Sequence, residues 1–309
     1  MSGSMAEVEG PLKTLEVRGR RFEYLSTRAY DPTEVYQSGS AYLRVGPTKL
    51  ITKELTLQRM LLKKGFPVAK ITDSGRLGKQ QFYIEKSLGK VILRHVFASD
   101  YKRYGRVSEK NFSVYLKLTE RFAKAQLSTI SRAHRNGFDK SMNLADLMTE
   151  FPEMASLISK AFKKAKSRIS EFPLVLCHGD LNVSNFLPKG IIDFEWAFWG
   201  YAGFDVVGNI YFTYFFPKVK RDRSARVYEP TEGQTAKYLD AIDTIYERHG
   251  LPRPSGYKDD FVYPKAIWAA SKMGEYPGMQ KWRFDLLMQI TKEYLAGKPI
   301  IETIMSFPS

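Results

Sequence analysis

Residues 178–205 read HGDLNVSNFLPKGIIDFEWAFWGYAGFD, and this stretch decides how the rest of the chain is interpreted. It contains an Asp (Asp180), an Asn five positions later (Asn185) and a second Asp (Asp193). The apolar pairs on either side of Pro188-Lys189-Gly190 predict two short strands joined by a Pro/Gly turn. Because such a hairpin brings Asn185 close to Asp193, the two side chains can share one Mg²⁺ ion.

This spacing suits the transfer of a phosphoryl group from a nucleotide. The reaction needs a carboxylate that orients and deprotonates the attacking hydroxyl, and hard oxygen ligands that hold Mg²⁺ against the phosphates. Protein kinases supply both with H-R-D-x-x-x-x-N and a later Asp. Here His178-Gly179-Asp180 followed by Asn185 keeps that spacing, with Gly in place of Arg. Glu195 points to the same side as Asp193 in extended geometry, so it is a candidate for binding a second Mg²⁺ or orienting a water.

The segments HGDLNVSN and IIDFEWAFWGYAGFDVV resemble the catalytic core of the aminoglycoside phosphotransferase and choline kinase superfamily, the small-molecule relatives of protein kinases. The aromatic-rich part from Glu195 onward is similar to choline and ethanolamine kinases. The resemblance implies that Asp180 is the catalytic base, that Asn185 and Asp193 bind magnesium, and that Asp205 is structural. We expect His178 to brace this catalytic loop.

The resemblance also implies an α+β fold of the two-lobed protein-kinase type, with a small antiparallel-sheet N-lobe and a larger, mainly helical C-lobe. A chain of 309 residues is long enough for two lobes or two domains. We expect residues 6–88 to form the nucleotide-binding N-lobe, with a hinge near 84–89, and residues 89–309 to form the catalytic and substrate-binding C-lobe. Residues 1–5 (MSGSM) are interpreted as an expression-vector remnant and excluded from fold reasoning.

A kinase-type nucleotide lobe needs a strand lysine on the phosphates and a helical glutamate that holds this lysine. Residues 49–53 (KLITK) are predicted as a strand, which makes Lys53 the first candidate and Lys49 the alternative. Glu54 is the only acidic residue of the helix predicted to follow, and is therefore the candidate partner. Because neighbours on a strand point to opposite faces, a Lys53–Glu54 pair requires the chain to turn, whereas a Lys49–Glu54 pair does not.

At the predicted hinge, the resemblance implies that the backbone C=O of Glu85 and the N–H of Ser87 bind the edge of adenine. Ile84 would then stand beside the base. Because these are backbone contacts, the side chains do not distinguish ATP from GTP, and both stay candidate co-substrates.

Aromatic residues are unusually dense after Asp193. An aromatic pocket can hold a quaternary ammonium such as choline through cation–π attraction, whereas most large aromatic side chains simply fill a core. We expect core positions for most of them. The substrate candidates are Trp196, Trp199, Tyr201, Trp268 and Trp282.

The net charge of +15 creates a field that attracts nucleotides, phosphorylated metabolites, anionic lipid surfaces or nucleic acid. We do not expect nucleic-acid binding, because the sequence has no RNA-binding signature, zinc knuckle or evident recognition helix. The basic run from Lys218 to Arg226 is either an anion clamp or a solvated loop. Aromatic density and positive charge therefore point to acceptors of opposite charge.

The chain has no apolar run of membrane-spanning length and no signal-peptide pattern. Its single cysteine, Cys177, excludes an internal disulfide, and we expect a small buried thiol rather than a nucleophile. A reducing, cytoplasmic location fits this composition.

The sequence thus predicts Mg²⁺-dependent transfer of the γ-phosphate of ATP or GTP to a hydroxyl of a small molecule. The acceptor classes that the resemblance suggests are aminoglycosides, amino alcohols such as choline or ethanolamine, and sugars. Two other classes stay open, namely a nucleotide-binding scaffold that does not catalyse and a protein kinase. The HGD triplet and the absence of DFG and A-P-E segments disfavour the protein kinase.

Overall fold

The computed structural model describes residues 12–28, 31–131, 137–222, 224–272 and 276–308. The chain divides into two compact units, Met1–Lys90 and Val91–Ser309. The proposed vector remnant at residues 1–5 lies outside the described residues. Within the described residues, none of the helices is long and apolar enough to cross a membrane.

The first unit contains a six-stranded antiparallel sheet with strand order β1-β2-β3-β4-β6-β5. The strands are β1 (Thr14–Val17), β2 (Arg20–Thr27), β3 (Glu34–Ser38), β4 (Ala41–Pro47), β5 (Ile71–Leu77) and β6 (Gln80–Lys86). Successive side chains of a strand point to opposite faces, so Leu43 and Val45 lie on one face with Phe82 and Ile84, in the core of the sheet. Arg44 and Glu85 consequently lie on the other face.

Helix α1 (Thr48–Lys63) follows β4 directly, and the strand predicted over residues 49–53 is therefore wrong. Pro47 lacks an N–H for the sheet ladder, so it ends β4 and begins the helix. Ile51 and Leu55 are both buried against Tyr83, and this spacing of four is the period of a helix face. The four residues LITK are too few to distinguish the period of a strand from that of a helix. Packing of Ile51 and Leu55 against the sheet selects the helix.

The second unit is mainly helical, with two small two-stranded sheets. Its helices are α2 (Leu93–Tyr104), α3 (Glu109–Leu127), α4 (Phe138–Ser141), α5 (Leu144–Glu150), α6 (Ala155–Ile169), α7 (Phe204–Tyr211), α8 (Glu232–Glu247), α9 (Lys258–Ala270), α10 (Pro277–Leu295) and α11 (Ile301–Ser306). Its strands are β7 (Leu174–Cys177), β8 (Phe186–Leu187), β9 (Gly190–Ile191) and β10 (Phe198–Tyr201).

One local prediction for this unit is confirmed, and α8 begins with a capping box. Strands β8 and β9 form the expected hairpin, in which Phe186 faces Ile191. The capping box of α8 is also present, because Thr231 Oγ1 accepts from the N–H of Gln234 at 3.1 Å and Gln234 Oε1 accepts from the N–H of Thr231 at 3.1 Å. The predicted class, an antiparallel sheet followed by a mainly helical part, is the class observed.

Cys177 ends β7 and is fully buried. Burial raises the pKa of its thiol well above the ordinary value. We therefore expect no reaction of the native protein with Ellman's reagent at pH 8 and release of one thiol equivalent after unfolding in guanidinium chloride. Rapid labelling of the native protein would contradict this burial.

Candidate functional site

The catalytic-loop candidate begins where β7 ends. Strand β7 pairs antiparallel with β10, and this pairing places Cys177 opposite Phe198. Gly179 then adopts φ of +85°, a conformation that glycine reaches without strain. A Cβ at this position would lie 2.4 Å from the carbonyl oxygen of Trp196, so a larger residue is excluded by sterics as well. This close approach accounts for Gly between His178 and Asp180.

Asp205, in the first turn of α7, is completely buried beneath this loop. Its Oδ2 accepts the N–H of His178 at 2.7 Å, and its Oδ1 accepts the N–H of Gly179 at 3.1 Å. Gln126 of α3 donates its Nε2–H to Asp205 Oδ2 at 2.9 Å. Three donors thus satisfy a carboxylate that has no access to water.

The His178 ring lies behind the loop, and both of its nitrogens are engaged. Its Nε2 lies 2.9 Å from the carbonyl oxygen of Ile192, and its Nδ1 accepts the N–H of Asp180 at 3.3 Å. Because a carbonyl can only accept, Nε2 carries the proton. The ring also packs 4.3 Å from the ring of Phe194. These contacts hold the His178 ring against the backbone of the loop.

Two asparagine side chains hold Asp180. Asn182 donates its Nδ2–H to Asp180 Oδ1 at 2.8 Å, and Asn185 donates to the carbonyl oxygen of Asp180 at 2.8 Å and to Oδ2 at 3.3 Å. The amide nitrogen of Asn185 therefore faces Asp180, which leaves its Oδ1 to bind another group. Sequence reasoning missed Asn182, although its place two residues after Asp180 in HGDLN was a usable signal.

Asp193 follows the hairpin and has φ of +69°. It is exposed, and the preceding residue, Ile192, donates its N–H to the carbonyl oxygen of Asn185 at 2.9 Å. The hairpin thus returns the chain to Asn185, as predicted. Among the described residues no group of three or more His, Cys, Asp and Glu side chains is arranged to hold a metal ion. A hard cation at Asn185 and Asp193 would therefore complete its coordination with oxygens from phosphate and water, a ligand set that suits Mg²⁺.

Two buried cations lie in the same part of the second unit. Lys265 of α9 donates from Nζ to the carbonyl oxygen of Gly179 at 2.8 Å. Burial lowers the pKa of Lys265, and the charges of Asp180 and Asp205 oppose this shift. Arg283 of α10 bonds the carbonyl oxygens of Phe215 and Ala269. Burial lowers the pKa of Arg283 to about 9, against the charge of Asp180. Sequence reasoning missed both cations, although a single lysine in the run FVYPKAIWAA was a signal for Lys265.

The aromatic candidates separate into two sets. Trp196 and Trp268 line a cavity of about 240 Å³. Trp282 donates its Nε1–H to the carbonyl oxygen of Pro308 at 2.7 Å. Tyr201 is buried against Phe138, and Trp199 is half-buried in β10. Neither these two nor Trp282 lines this cavity.

In the first unit, both candidate lysines lie on helix α1 instead of on a strand. Lys49 and Lys53 are both exposed on helix α1. Glu54 pairs with Arg28 rather than with either lysine, and it accepts the hydroxyl of Tyr83 at 2.9 Å. The predicted pairing of Glu54 with a lysine is therefore wrong.

Arg44 is the cation that β4 carries, and it was missed because the sequence was searched for a lysine. Its Nε lies 2.9 Å from Glu85 Oε1, on the face of the sheet that α1 covers. Burial lowers the pKa of Arg44, but the negative charge of Glu85 outweighs this effect and the pKa lies above its ordinary value. Arg44 is therefore a permanent positive charge on the strand.

The predicted hinge contacts also need correction. Glu85 lies inside the sheet, between Tyr42 of β4 and Ile71 of β5, so its backbone is flanked by strands on both sides. The N–H of Ser87 donates to the carbonyl oxygen of Ser40 at 2.8 Å. Ile84 points into the core of the sheet, away from Arg44. In the described part of the chain, the first N–H after β6 without an acceptor is that of Leu88.

Comparison with known proteins gives one family and a consistent fold. A model of the phosphotransferase enzyme family (APH) matches residues 35–238, and this match confirms the resemblance seen in the motif. No curated protein matches the chain significantly.

Three solved structures share the fold. A choline/ethanolamine kinase family protein from Mesorhizobium loti is 12% identical, with a TM-score of 0.56 over 92% of each chain. A thermostable mutant of aminoglycoside phosphotransferase APH(4)-Ia, in complex with AMP-PNP and hygromycin B, is 15% identical, with a TM-score of 0.52 over 90% of this chain and 95% of that one. The gentamicin complex of APH(2'')-IIa is 16% identical, with a TM-score of 0.51 over 91% of this chain and 92% of that one. At these identities the likeness shows the fold, which is kinase-like as predicted.

Asp205→Asn should destabilise the protein by about 3 kcal/mol, because the new amide turns a donor toward the N–H of His178 or Gly179. Chemical denaturation monitored by circular dichroism measures this change. The matched control is Asp285→Asn, an exposed carboxylate near Lys281, which should change the stability by less than about 0.5 kcal/mol. Equal stability of the two variants would contradict the support that Asp205 gives to the loop.

Proposed function

The chain belongs to the phosphotransferase enzyme family and is an ATP-dependent phosphotransferase with an alcohol group as acceptor, and we propose that it is a Mg²⁺-dependent kinase of a small molecule. The single observation that carries the proposal is that hydrogen bonds fix the position of the Asp180 side chain. Its carboxylate accepts from Asn182 and Asn185, in a loop whose backbone is bonded to the buried Asp205. A carboxylate in a fixed position can orient a hydroxyl for in-line attack.

Asp180 accepts the proton of the acceptor hydroxyl as that oxygen attacks the γ-phosphorus. The His178 ring supports the backbone of the loop through its bond to the carbonyl oxygen of Ile192. The buried cation of Lys265 bonds the carbonyl oxygen of Gly179, so it holds the peptide that precedes Asp180.

Asn185 and Asp193 would hold Mg²⁺, with Glu195 as the candidate for a second ion or for a bound water. The extended geometry expected for Glu195 is wrong, because Phe194–Trp196 forms a 3-10 turn after Asp193. The support is the orientation of Asn185, whose amide nitrogen faces Asp180 and whose Oδ1 is left for a ligand. When bound, Mg²⁺ neutralises charge on the phosphates of the nucleotide.

In the first unit, we assign the nucleotide phosphates to Arg44. It lies on the strand that precedes α1, where kinase-type nucleotide lobes carry their phosphate-binding lysine. We assign the edge of the base to the N–H of Leu88, because the N–H of Ser87 is bonded to Ser40. GTP stays a possible co-substrate besides ATP, since a backbone N–H does not select between the bases.

Asp180→Ala should lower kcat by about 10²- to 10⁴-fold, the usual contribution of a general base, while nucleotide affinity changes little. ADP release in a coupled assay measures the first quantity, and calorimetric titration with Mg²⁺-AMP-PNP measures the second. Turnover above about one hundredth of the wild-type rate would remove Asp180 from the role of base.

Arg44→Met should weaken the binding of Mg²⁺-AMP-PNP about tenfold or more, because a charge-assisted contact to phosphate is lost. The double variant Arg44→Met/Glu85→Gln avoids an unpaired buried carboxylate and should show the same weakening. Lys49→Gln and Lys53→Gln are the matched comparison. If either lysine variant weakens binding and Arg44→Met does not, the phosphate cation lies on α1 instead.

A further inference from the structure

The cavity lined by Trp196 and Trp268 adjoins the catalytic loop. Its wall reaches the loop at Trp196, whose carbonyl oxygen would lie 2.4 Å from a Cβ on Gly179, the residue before Asp180. The volume of about 240 Å³ is enough for a small metabolite. Because Trp196 lies against Gly179, an acceptor whose hydroxyl approaches Asp180 can extend its other groups into this cavity.

One aromatic ring of this cavity already carries a cation from a residue that also lines it. Lys272 Nζ lies 3.6 Å from the centroid of the Trp196 ring. Lys265 Nζ lies 4.1 Å from the centroid of the Trp268 ring, but Lys265 is buried and does not line the cavity. A quaternary ammonium on the Trp196 ring would therefore lie close to the ammonium of Lys272. A second cation about 4 Å from an ammonium would be repelled by about 4 kcal/mol at an effective dielectric constant of 20.

Lys272 is held in place by the neutral side chain of Asn143. With its carboxamide oriented so that both ends have partners, Asn143 accepts from Lys272 Nζ at 3.1 Å and donates to the carbonyl oxygen of Lys140. In the described part of the chain no carboxylate lies within ion-pair distance of Lys272 or Lys140, and both residues line the cavity. Glu195 is the one acidic side chain among the described lining residues. Partial burial lowers the pKa of Lys272, and the more distant charges of Asp180, Asp146 and Glu195 oppose that shift.

We propose that the acceptor is an anionic hydroxy compound, a small alcohol that bears a carboxylate or a phosphate, and that Lys272 binds its negative charge. The proposal rests on the phosphotransferase function proposed above and names its substrate class. An anion near Asp180 and the nucleotide phosphates needs a cation beside it, and Lys272 supplies one against the Trp196 ring. In the transfer, the acceptor oxygen forms a bond to the γ-phosphorus while the bond from the γ-phosphorus to the β,γ-bridging oxygen breaks. ADP leaves with that electron pair, and the hydroxyl proton passes to Asp180.

The test is a series of three-carbon polyols that differ in charge. Glycerate, glycerol and 3-aminopropane-1,2-diol carry −1, 0 and +1 on one skeleton, and glycerol 3-phosphate separates a phosphate from a carboxylate. Binding to the full chain with Mg²⁺-AMP-PNP is titrated by ligand-detected NMR, and transfer from ATP is followed by ³¹P NMR. We expect one or both anions to bind about ten- to a hundredfold more tightly than glycerol, and the cation to bind most weakly. Tightest binding of the cation or of glycerol, or binding of none of the four, would overturn the proposal.

The variant Lys272→Gln tests whether Lys272 is the residue that gives the preference for an anion. It should reduce binding of the preferred anion to that of glycerol, lower kcat/KM for that anion about ten- to a hundredfold and leave the KM for ATP unchanged, while Lys272→Arg restores the preference. The matched control is Lys160→Gln, on the exposed side of α6, which should keep the wild-type preference. A raised KM for ATP, or an anion preference that survives in Lys272→Gln, would show that Lys272 does not select the acceptor. Anion-selective binding without transfer to any acceptor would instead count against the proposed kinase activity and leave the charge selection standing.

Discussion

The carboxylate of Asp205 is the interaction on which the rest of the site depends. A buried charge without partners would cost several kcal/mol, so its three N–H donors must stay in place whenever the protein is folded. Two of these donors are the backbone groups of His178 and Gly179, and the third comes from Gln126 of α3. One side chain on α7 therefore fixes the end of β7, the start of the catalytic loop and the helix that packs behind them.

The peptide groups of Gly179 lie between opposite charges. Asp205 accepts its N–H, and Lys265 donates to its carbonyl oxygen. Each buried ion thus helps to satisfy a polar group of the same residue, and the two ions partly neutralise each other in a place without water. The absence of a side chain on Gly179 is necessary, because Trp196 leaves no room for one. Asp180 is consequently held in two ways. The backbone of Gly179, the preceding residue, is fixed by Asp205 and Lys265, and the side chain of Asp180 accepts from Asn182 and Asn185.

The sequence predicted correctly those parts of the structure whose conformation depends on residues close together in the chain. The Pro/Gly turn between β8 and β9 depends on neighbours within a few residues, and its own sequence was enough to predict the hairpin. The segment LITK was predicted wrongly because four residues satisfy a strand and a helix equally well, and the choice between them came from packing of Ile51 and Leu55 on Tyr83.

Contacts between residues far apart in the chain could not be predicted in the same way. Lys265 and Gly179 are 86 positions apart, and the Arg44–Glu85 pair spans 41. No periodicity links such pairs, since only the register of the sheet and the packing of the helices bring them together. The exception is Arg44 itself, which lies in β4, the strand directly before α1. Its positive charge was visible in the sequence, and we assign to this arginine the role that was expected of a lysine.

Aromatic density and positive charge seemed to indicate acceptors of opposite sign, and their arrangement removes this conflict. Trp196 and Trp268 present faces with negative electrostatic potential, and the chain places its own ammonium groups from Lys272 and Lys265 on them. Among the described residues no carboxylate lies within ion-pair distance of Lys272, and its ammonium on the Trp196 ring is the group that we propose binds an anion. Aromatic residues that would suit choline in an empty pocket are thus compatible with the acidic acceptor that we propose, because the cation on the ring sets the sign of the preferred ligand.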